Sequence, residues 1–139
     1  MDKKYKYIST QPYSLHDMQV NKLKIIDNNI KLYFENGFIE LKEPYKQVNG
    51  NIIIEEIDLD FSNVYILSNN GKYGDFKGKK LSLSKFIKKY KKYKLEIIDE
   101  MYGYNQVSYC GYLYLPHKNK LKEIIISIYY YGDIIYKTL

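Results

Sequence analysis

The stretch LKIIDNNIKLYFENGFIELKE, residues 23–43, decides the predicted fold, because two turn signals divide it into three short strand patterns. Asn36-Gly37 is a strong signal for a type I′ turn, in which both central residues take positive φ. Asn28-Asn29 is treated as a second two-residue turn. The turns pair Phe34 with Ile39 and Leu32 with Leu41 across the first, and Leu23 with Phe34 and Ile25 with Leu32 across the second. The pattern predicts a three-stranded antiparallel meander with one apolar face.

The rest of the chain contains further short runs that are rich in β-branched and aromatic residues, as strands are. A loop with three glycines is expected over residues 69–78. The additional predicted strands cover residues 4–8, 52–59, 63–67, 95–98, 106–115, 121–130 and 134–136.

Residues 82–93 form the one convincing helix pattern. At about 100° per residue, the apolar side chains fall on one stripe and the lysines on the opposite side. Ser82 stands where an N-cap residue is expected. The stripe contains Leu83, Phe86, Ile87 and Tyr90, and the opposite side contains Lys85, Lys88, Lys89 and Lys92. One face should therefore cover the sheet, and the lysine face should meet water or a partner.

These elements predict a mainly β (α+β) fold in a single domain over residues 1–139. A chain of this length can bury a sizeable core. About eight or nine short strands with one helix favour an antiparallel barrel-like or sandwich sheet. The amphipathic helix near residues 82–93 would pack over an open face or end of that sheet.

The basic residues are all lysine: 22 lysines stand against 16 acidic residues, and there is no arginine. The abundance of lysine, isoleucine, asparagine and tyrosine is also what AT-rich codons specify, so part of the net charge of +6 can reflect genome composition. Without arginine, no planar guanidinium can grip a phosphate or a guanine edge through two hydrogen bonds. The composition disfavours sequence-specific DNA recognition.

Several features indicate the cytoplasm. Cys110 is alone, so no disulfide within the chain is possible. The N-terminal residues are basic but no apolar segment follows them, so we expect no signal peptide. The most apolar run, residues 124–136, is interrupted by polar residues and is too short for a membrane-spanning helix. We expect a cytoplasmic protein with no membrane contact.

The acidic and histidine motifs are weak candidates for chemistry. His16-Asp17 is a pair found in metal-dependent phosphohydrolases, but only His117 could add a second imidazole, so no metal site is expected. Glu56, Asp58 and Asp60 alternate and would line one face of a strand, either solvated or neutralising the helix lysines. The glycines of residues 71–80 do not match a Walker loop. No catalytic constellation emerges, and we expect neither a catalytic residue nor a cofactor.

Tyrosines cluster around Tyr102-Gly103-Tyr104-Asn105. Exposed rings in such a segment could form a platform on which bases or sugars stack. Tyrosines that are half-buried on a sheet would give the same pattern, because tyrosine favours strands. Both interpretations remain open from the sequence.

Four segments carry a resemblance to known proteins: residues 16–18 (HDM), 57–61 (IDLDF), 74–78 (GDFKG) and 98–105 (IDEMYGYN). Their succession looks like that in small uncharacterised cytosolic proteins of low-GC bacteria, and the likeness covers most of the chain. In size and β-rich character the chain is also similar to immunity proteins of bacterial toxin systems. The resemblance names no activity, and the likeness to immunity proteins is an analogy of fold and size.

We therefore predict a non-enzymatic protein-binding module that docks an acidic partner through the lysine face, with an immunity-type role as its most specific form. The alternative is a sequence-independent nucleic-acid-binding protein that uses the lysines and a tyrosine platform. The predicted partner-binding residues are Lys85, Lys88, Lys89, Lys92, Tyr102, Tyr104 and Asn105.

Overall fold

The structure, a computed structural model, describes residues 1–67 and 77–139. In these residues the chain forms strands, one 3₁₀ helix (Leu59–Phe61) and one α-helix, α1 (Leu83–Tyr90). The strands are β1 (Asp2–Tyr5), β2 (Tyr13–Ser14), β3 (Met18–Ile26), β4 (Asn29–Phe34), β5 (Phe38–Glu40), β6 (Lys46–Val48), β7 (Gly50–Ile54), β8 (Asn63–Leu67), β9 (Gly78–Ser82), β10 (Leu95–Gly103), β11 (Gln106–Leu115), β12 (Lys120–Tyr129) and β13 (Ile134–Thr138).

The strands form two antiparallel sheets. The large sheet has ten strands in the order β1-β13-β7-β4-β3-β10-β11-β12-β8-β9, and the small sheet has the order β2-β5-β6. The large sheet is open, with β1 and β9 at its ends, so it does not close into a barrel. The prediction of a mainly β fold with one helix is confirmed, and the strands within the described residues outnumber the predicted ones.

The predicted hairpin at Asn36-Gly37 is wrong. β4 pairs with β3 and β7 in the large sheet, whereas β5 pairs with β2 and β6 in the small one. Phe38, fully buried, packs edge-on against Phe34 and Tyr13, so burial of this ring directs β5 into a second layer. Gly37 is the corner: its φ is +69°, and a Cβ there would lie 1.8 Å from the Val48 carbonyl oxygen.

The hairpin of β3 and β4 exists, with a register two residues away from the predicted one. Ile26 pairs with Asn29, so the turn is Asp27-Asn28, and Leu23 lies opposite Leu32. Since side chains alternate faces with a period of two, a slip of two residues preserves the face on which each one lies. Leu23 and Leu32 are accordingly buried, as the pattern predicts.

The predicted acidic strand face is also wrong. β7 ends at Ile54, Glu56 has a φ of +53°, and Asp58 is the N-cap of the 3₁₀ helix. The Asp58 side chain accepts hydrogen bonds from the backbone N–H groups of Asp60 and Phe61. The three carboxylates of this segment therefore do not line one strand face, because Asp58 is used to begin a helical turn.

α1 packs against β3, β8 and β9 of the large sheet, on the face that carries the buried side chains, which we call the inner face. Ser82 is its N-cap, and the Ser82 hydroxyl accepts the Lys85 N–H at 3.2 Å. Leu83 and Phe86 are buried against the sheet. The helix ends at Tyr90, so Lys92 lies in the following turn and not on the predicted helix face.

Some of the predicted segments lie largely outside the described residues. The predicted glycine loop at residues 69–78 lies outside the described residues except for its last two positions, as do most of residues 71–80 and of the GDFKG segment. Across residues 1–67 and 77–139, no helix has the length and apolar character needed to cross a membrane.

Candidate functional site

The lysines on the solvent side of α1 form no ion pair with any acidic side chain in residues 1–67 and 77–139. Lys85, Lys88 and Lys89 are exposed. Over the described residues, the ion pairs are Lys94 with Glu35, Lys137 with Asp2, and His16 with Asp17, and none involves α1. The acidic segment of residues 56–60 forms no ion pair with the helix lysines, so within the part of the chain that the structure describes these lysines present positive charge to solvent.

A groove of about 380 Å³ runs between α1 and β3, and we call it the α1–β3 groove. Leu23 is buried, while Ile25 and Ile87 are half-buried and show apolar surface to the groove. Four lysines rim these apolar side chains: Lys22, Lys24, Lys88 and Lys91. The site thus combines an apolar floor with a cationic rim, an arrangement that suits a partner with both apolar and acidic groups.

A second groove, of about 360 Å³, lies at the C-terminal end of α1, and we call it the His117 groove. The rings of Tyr93 and His117 meet edge-on, with centroids 5.9 Å apart. The other lining residues are Lys88, Lys89, Lys91, Lys92 and Pro116. Lys88 and Lys91 line both grooves, so they form a basic ridge between them. Lys92, although it follows the helix, therefore belongs to the same basic surface as Lys88 and Lys89.

The predicted tyrosine platform is divided between the interior and the surface. Tyr102 is half-buried, and its hydroxyl donates to the Glu100 carboxylate. Burial raises the pKa of the Tyr102 hydroxyl far above its ordinary value, so the phenol stays protonated. Tyr104 is 79% exposed and stacks on Tyr7 with centroids 5.3 Å apart. Of the two predicted tyrosines, Tyr104 presents its ring to solvent.

Asn105 shapes the turn rather than the surface. Its φ is +55°, in the left-handed region that asparagine tolerates. Its backbone carbonyl accepts the Tyr130 N–H at 3.0 Å. The half-buried Asn105 therefore holds the connection between β10 and β11 in place.

The two grooves and the turn at Tyr104-Asn105 lie at opposite ends of the β10–β11 hairpin. The turn at Tyr104-Asn105 begins β11, whereas His117 follows the end of β11 and borders the second groove. β11 has ten residues, and an extended strand of that length spans about 30 Å. The structure brings Lys85, Lys88, Lys89 and Lys92 together and leaves Tyr102, Tyr104 and Asn105 apart from them.

His16 and Asp17 lie at a bulge in β10, where the pairing with β11 shifts between Ile97 and Asp99. His16 donates from Nδ1 to the Ile98 carbonyl at 2.6 Å, and its Nε2 lies 3.4 Å from Asp17 Oδ2. The hydrogen bond to Ile98 and the Asp17 charge raise the pKa of His16. Across the described part of the chain, no three His, Cys, Asp or Glu side chains are grouped to hold a metal ion.

Sequence reasoning missed a polar network inside the molecule. Glu100 Oε2 accepts from Gln11 Nε2 at 2.6 Å and from the Leu15 N–H at 2.9 Å, while Tyr102 donates to Oε1. The Tyr102 hydroxyl lies 3.3 Å from that of the buried Tyr136. Burial raises the pKa of Glu100, against the lowering effect of these hydrogen bonds. The network ties the residues on either side of β2, Gln11 and Leu15, to β10 of the large sheet.

The residues of the α1–β3 groove were also missed, apart from Lys88. The alternation Lys22-Leu23-Lys24-Ile25 was the available signal, since it places two lysines and two apolar side chains on opposite faces of one strand. The proximity of β3 to α1 is a tertiary property that no local pattern contains.

No protein-family model, curated protein or solved structure matches this chain. Function is therefore inferred from the chain's own geometry, and the exposed lysines beside the apolar floor of the α1–β3 groove are the surface feature on which the inference rests.

Proposed function

We propose that this protein is a binding module that docks an acidic partner protein on the lysine-rich surface of α1. The observation that carries the proposal is the set of lysines with no acidic partner in the described residues, set beside two grooves with apolar or aromatic side chains. Charged rims around an apolar centre are typical of protein interfaces.

The charge arrangement gives a physical reason for a partner. Lys85 lies three and four residues before Lys88 and Lys89, so these charges repel along the helix surface. Each such pair costs about 0.2–0.5 kcal/mol. An acidic surface would relieve that repulsion on binding and would also accelerate encounter through electrostatic attraction.

An immunity-type role is the most specific form of the proposal. In that role the partner would be an acidic toxin inside a bacterial cell, which accords with the resemblance of residues 98–105 and the other three segments to cytosolic bacterial proteins. A cytoplasmic location is part of the same proposal, supported by the single cysteine and by the absence of a membrane-spanning helix in the described residues.

Sequence-independent nucleic-acid binding is the second candidate, because the same unpaired lysines could neutralise phosphates. The exposed ring of Tyr104 lies at the far end of the β10–β11 hairpin from these lysines, so it cannot add base stacking at the same surface. The aromatic side chains nearest the lysines, Tyr90 and Tyr93, are half-buried. This geometry favours an acidic protein over a single strand of DNA or RNA.

The test compares two triple variants that lose the same charge. One replaces Lys85, Lys88 and Lys89 by Gln, and the control replaces the exposed Lys4, Lys42 and Lys46. Exposed ion pairs contribute about 0.2–1 kcal/mol each, so the first variant should bind a polyglutamate peptide about tenfold more weakly. The control should bind as the wild type does.

The same comparison with mixed-sequence single-stranded DNA in place of polyglutamate separates the two candidates. Polyglutamate binding that depends on the α1 lysines, with DNA bound more weakly, supports the acidic-protein proposal. Tighter binding of DNA that is lost in the α1 variant favours nucleic acid instead. Equal weakening of both triple variants would show that net charge alone is responsible, and it would overturn both candidates.

A further inference from the structure

One edge of β3 is only partly used by the large sheet. On the side of β10, the pairing covers Met18 to Val20, opposite Ile97 to Leu95. Residues 22–26 pair with β4 on the other side, and among the described residues no backbone hydrogen bond reaches their second edge. Alternate N–H and C=O groups of these five residues are therefore open to a further strand.

This free edge borders the α1–β3 groove. Residues 22–25 line the groove from the sheet, and Ser84, Ile87, Lys88 and Lys91 line it from the helix. The groove lies ahead of Leu95, where β10 begins. A segment placed there would continue the line of β10 along the edge of β3 and would lie between β3 and α1.

We propose that the α1–β3 groove takes an extended acidic segment of the partner protein, which adds to the free edge of β3 as a further strand. This inference rests on the proposed function and specifies the conformation of the bound segment. Strand addition supplies affinity through main-chain hydrogen bonds, and side-chain pockets on alternate positions supply specificity.

The side chains of β3 dictate the pattern that the partner segment needs. Leu23 and Ile25 face the side of the sheet that α1 covers, whereas Lys22 and Lys24 face the other side. An added strand has the same period of two. Its inward residues should be apolar, to pack beside Ile87, and its outward residues should be acidic, to meet Lys22 and Lys24.

The helix adds charge selection at the inward side. Lys88 and Lys91 rim the groove above its apolar floor, where each can form an ion pair with a carboxylate of the bound segment. The same four lysines disfavour a second copy of this chain as the occupant. Two β3 edges that paired with each other would bring like charges together, as lysines on natural edge strands do to prevent self-association.

The experiment uses a synthetic eight-residue peptide of alternating glutamate and valine. Octaglutamate, which is acidic but has no apolar side chain, is the control. Because burial of its valine side chains adds apolar contacts that octaglutamate cannot make, the alternating peptide should bind at least about tenfold more tightly than octaglutamate does. Amide hydrogen exchange of wild-type protein should slow at residues 22–26 when the alternating peptide is bound.

Backbone pairing is tested by two N-methylated versions of the peptide, one methylated at every valine and one at every glutamate. Alternate N–H groups of a strand point to opposite edges, so one of the two versions should bind about tenfold more weakly or worse. Equal binding of both versions, or unchanged exchange at residues 22–26, would overturn strand addition.

A pair of isoleucine variants tests the groove itself. Ile87→Gln should weaken binding of the alternating peptide and leave octaglutamate binding unchanged, whereas Ile125→Gln, at a half-buried position on the opposite face of the sheet, should change neither. If octaglutamate binding depends on the α1 lysines but the alternating peptide gains nothing, the proposed function stands and this inference fails. If the lysine variants change nothing, the proposed function fails as well.

Discussion

The molecule holds charge in two contrasting regions, the network around Glu100 and the lysine surface of α1. The Glu100 carboxylate is half-buried and accepts hydrogen bonds from Gln11, Leu15 and Tyr102. Lys85, Lys88 and Lys89 are exposed and have no acidic partner in the described residues. The first region uses the hydrogen bonds of one carboxyl group to join two parts of the fold, while the second leaves its charge available for another molecule.

The largest effect is expected from Glu100→Ala. The substitution leaves the Gln11 amide, the Leu15 N–H and the Tyr102 hydroxyl without their acceptor. A hydrogen bond contributes about 0.5–1.5 kcal/mol, and a buried donor left without an acceptor costs about 1–3 kcal/mol. We expect the free energy of unfolding in urea to fall by about 2 kcal/mol, with the exposed Glu43→Ala variant as the control. An equal change in both variants would remove the special role of Glu100.

The next largest effect is a dependence of stability on pH that comes from Glu100. The pKa of Glu100 is raised in the folded protein by burial, so the folded state holds that proton more tightly than the unfolded state does. Glu100 therefore contributes its full stability below its ordinary pKa, and that contribution is lost as pH rises through the folded pKa. Urea unfolding, followed as the pH is raised from below the ordinary pKa of glutamate, should show this loss in wild type and not in Glu100→Gln. A parallel pH dependence in the two proteins would contradict the assignment.

A smaller and opposite effect is expected for the lysine surface. Replacing Lys85, Lys88 and Lys89 by Gln removes repulsion between charges three and four residues apart. The free energy of unfolding should rise by about 0.5 kcal/mol at low salt and by less at high salt, where the charges are screened. A loss of more than about 1 kcal/mol would mean that these lysines stabilise the fold, and it would break the contrast with Glu100.

The smallest effect concerns His16, an exposed group that lies outside both regions. Its raised pKa comes from the hydrogen bond to Ile98 and from Asp17. The protonated imidazole is thus favoured in the folded state, and its contribution is present below its ordinary pKa and lost as pH rises through the folded pKa. An NMR titration of the His16 ring should give a midpoint above about 6.5, and Asp17→Asn should lower it. An unchanged midpoint in the variant would assign the shift to Ile98 alone.

Local patterns predicted the parts of the fold that local physics controls. The strand over residues 106–115 coincides with β11, and Ser82 is the N-cap of α1 as its hydroxyl and position indicated. The helix stripe was correct because Leu83 and Phe86 repeat with helical spacing and are buried. These features depend on neighbours within a few residues, which a sequence pattern contains.

The failures came where distant residues compete with a local signal. Asn36-Gly37 favours a tight hairpin, but burial of Phe38 among Tyr13, Phe34 and Tyr136 outweighs it and moves β5 to another sheet. The α1–β3 groove joins residues 22–25 to residues 84–91, so its floor could not be predicted from either segment alone. Of the lysines that rim this groove, Lys88 was among the predicted partner-binding residues, whereas Lys22, Lys24 and Lys91 were not.

Gly37 allows the backbone that leaves β4 to lie directly against the backbone of β6. A methyl group at this position would meet the Val48 carbonyl oxygen, which belongs to the backbone of β6 and cannot rotate away as a side chain would. To admit it, β6 would have to move, and β5, which pairs with β6 and carries Phe38, would move with it. The absence of a side chain at Gly37 therefore sets how closely β6 can approach this position. Because β5 pairs with β6, it also sets how deeply the Phe38 ring is buried.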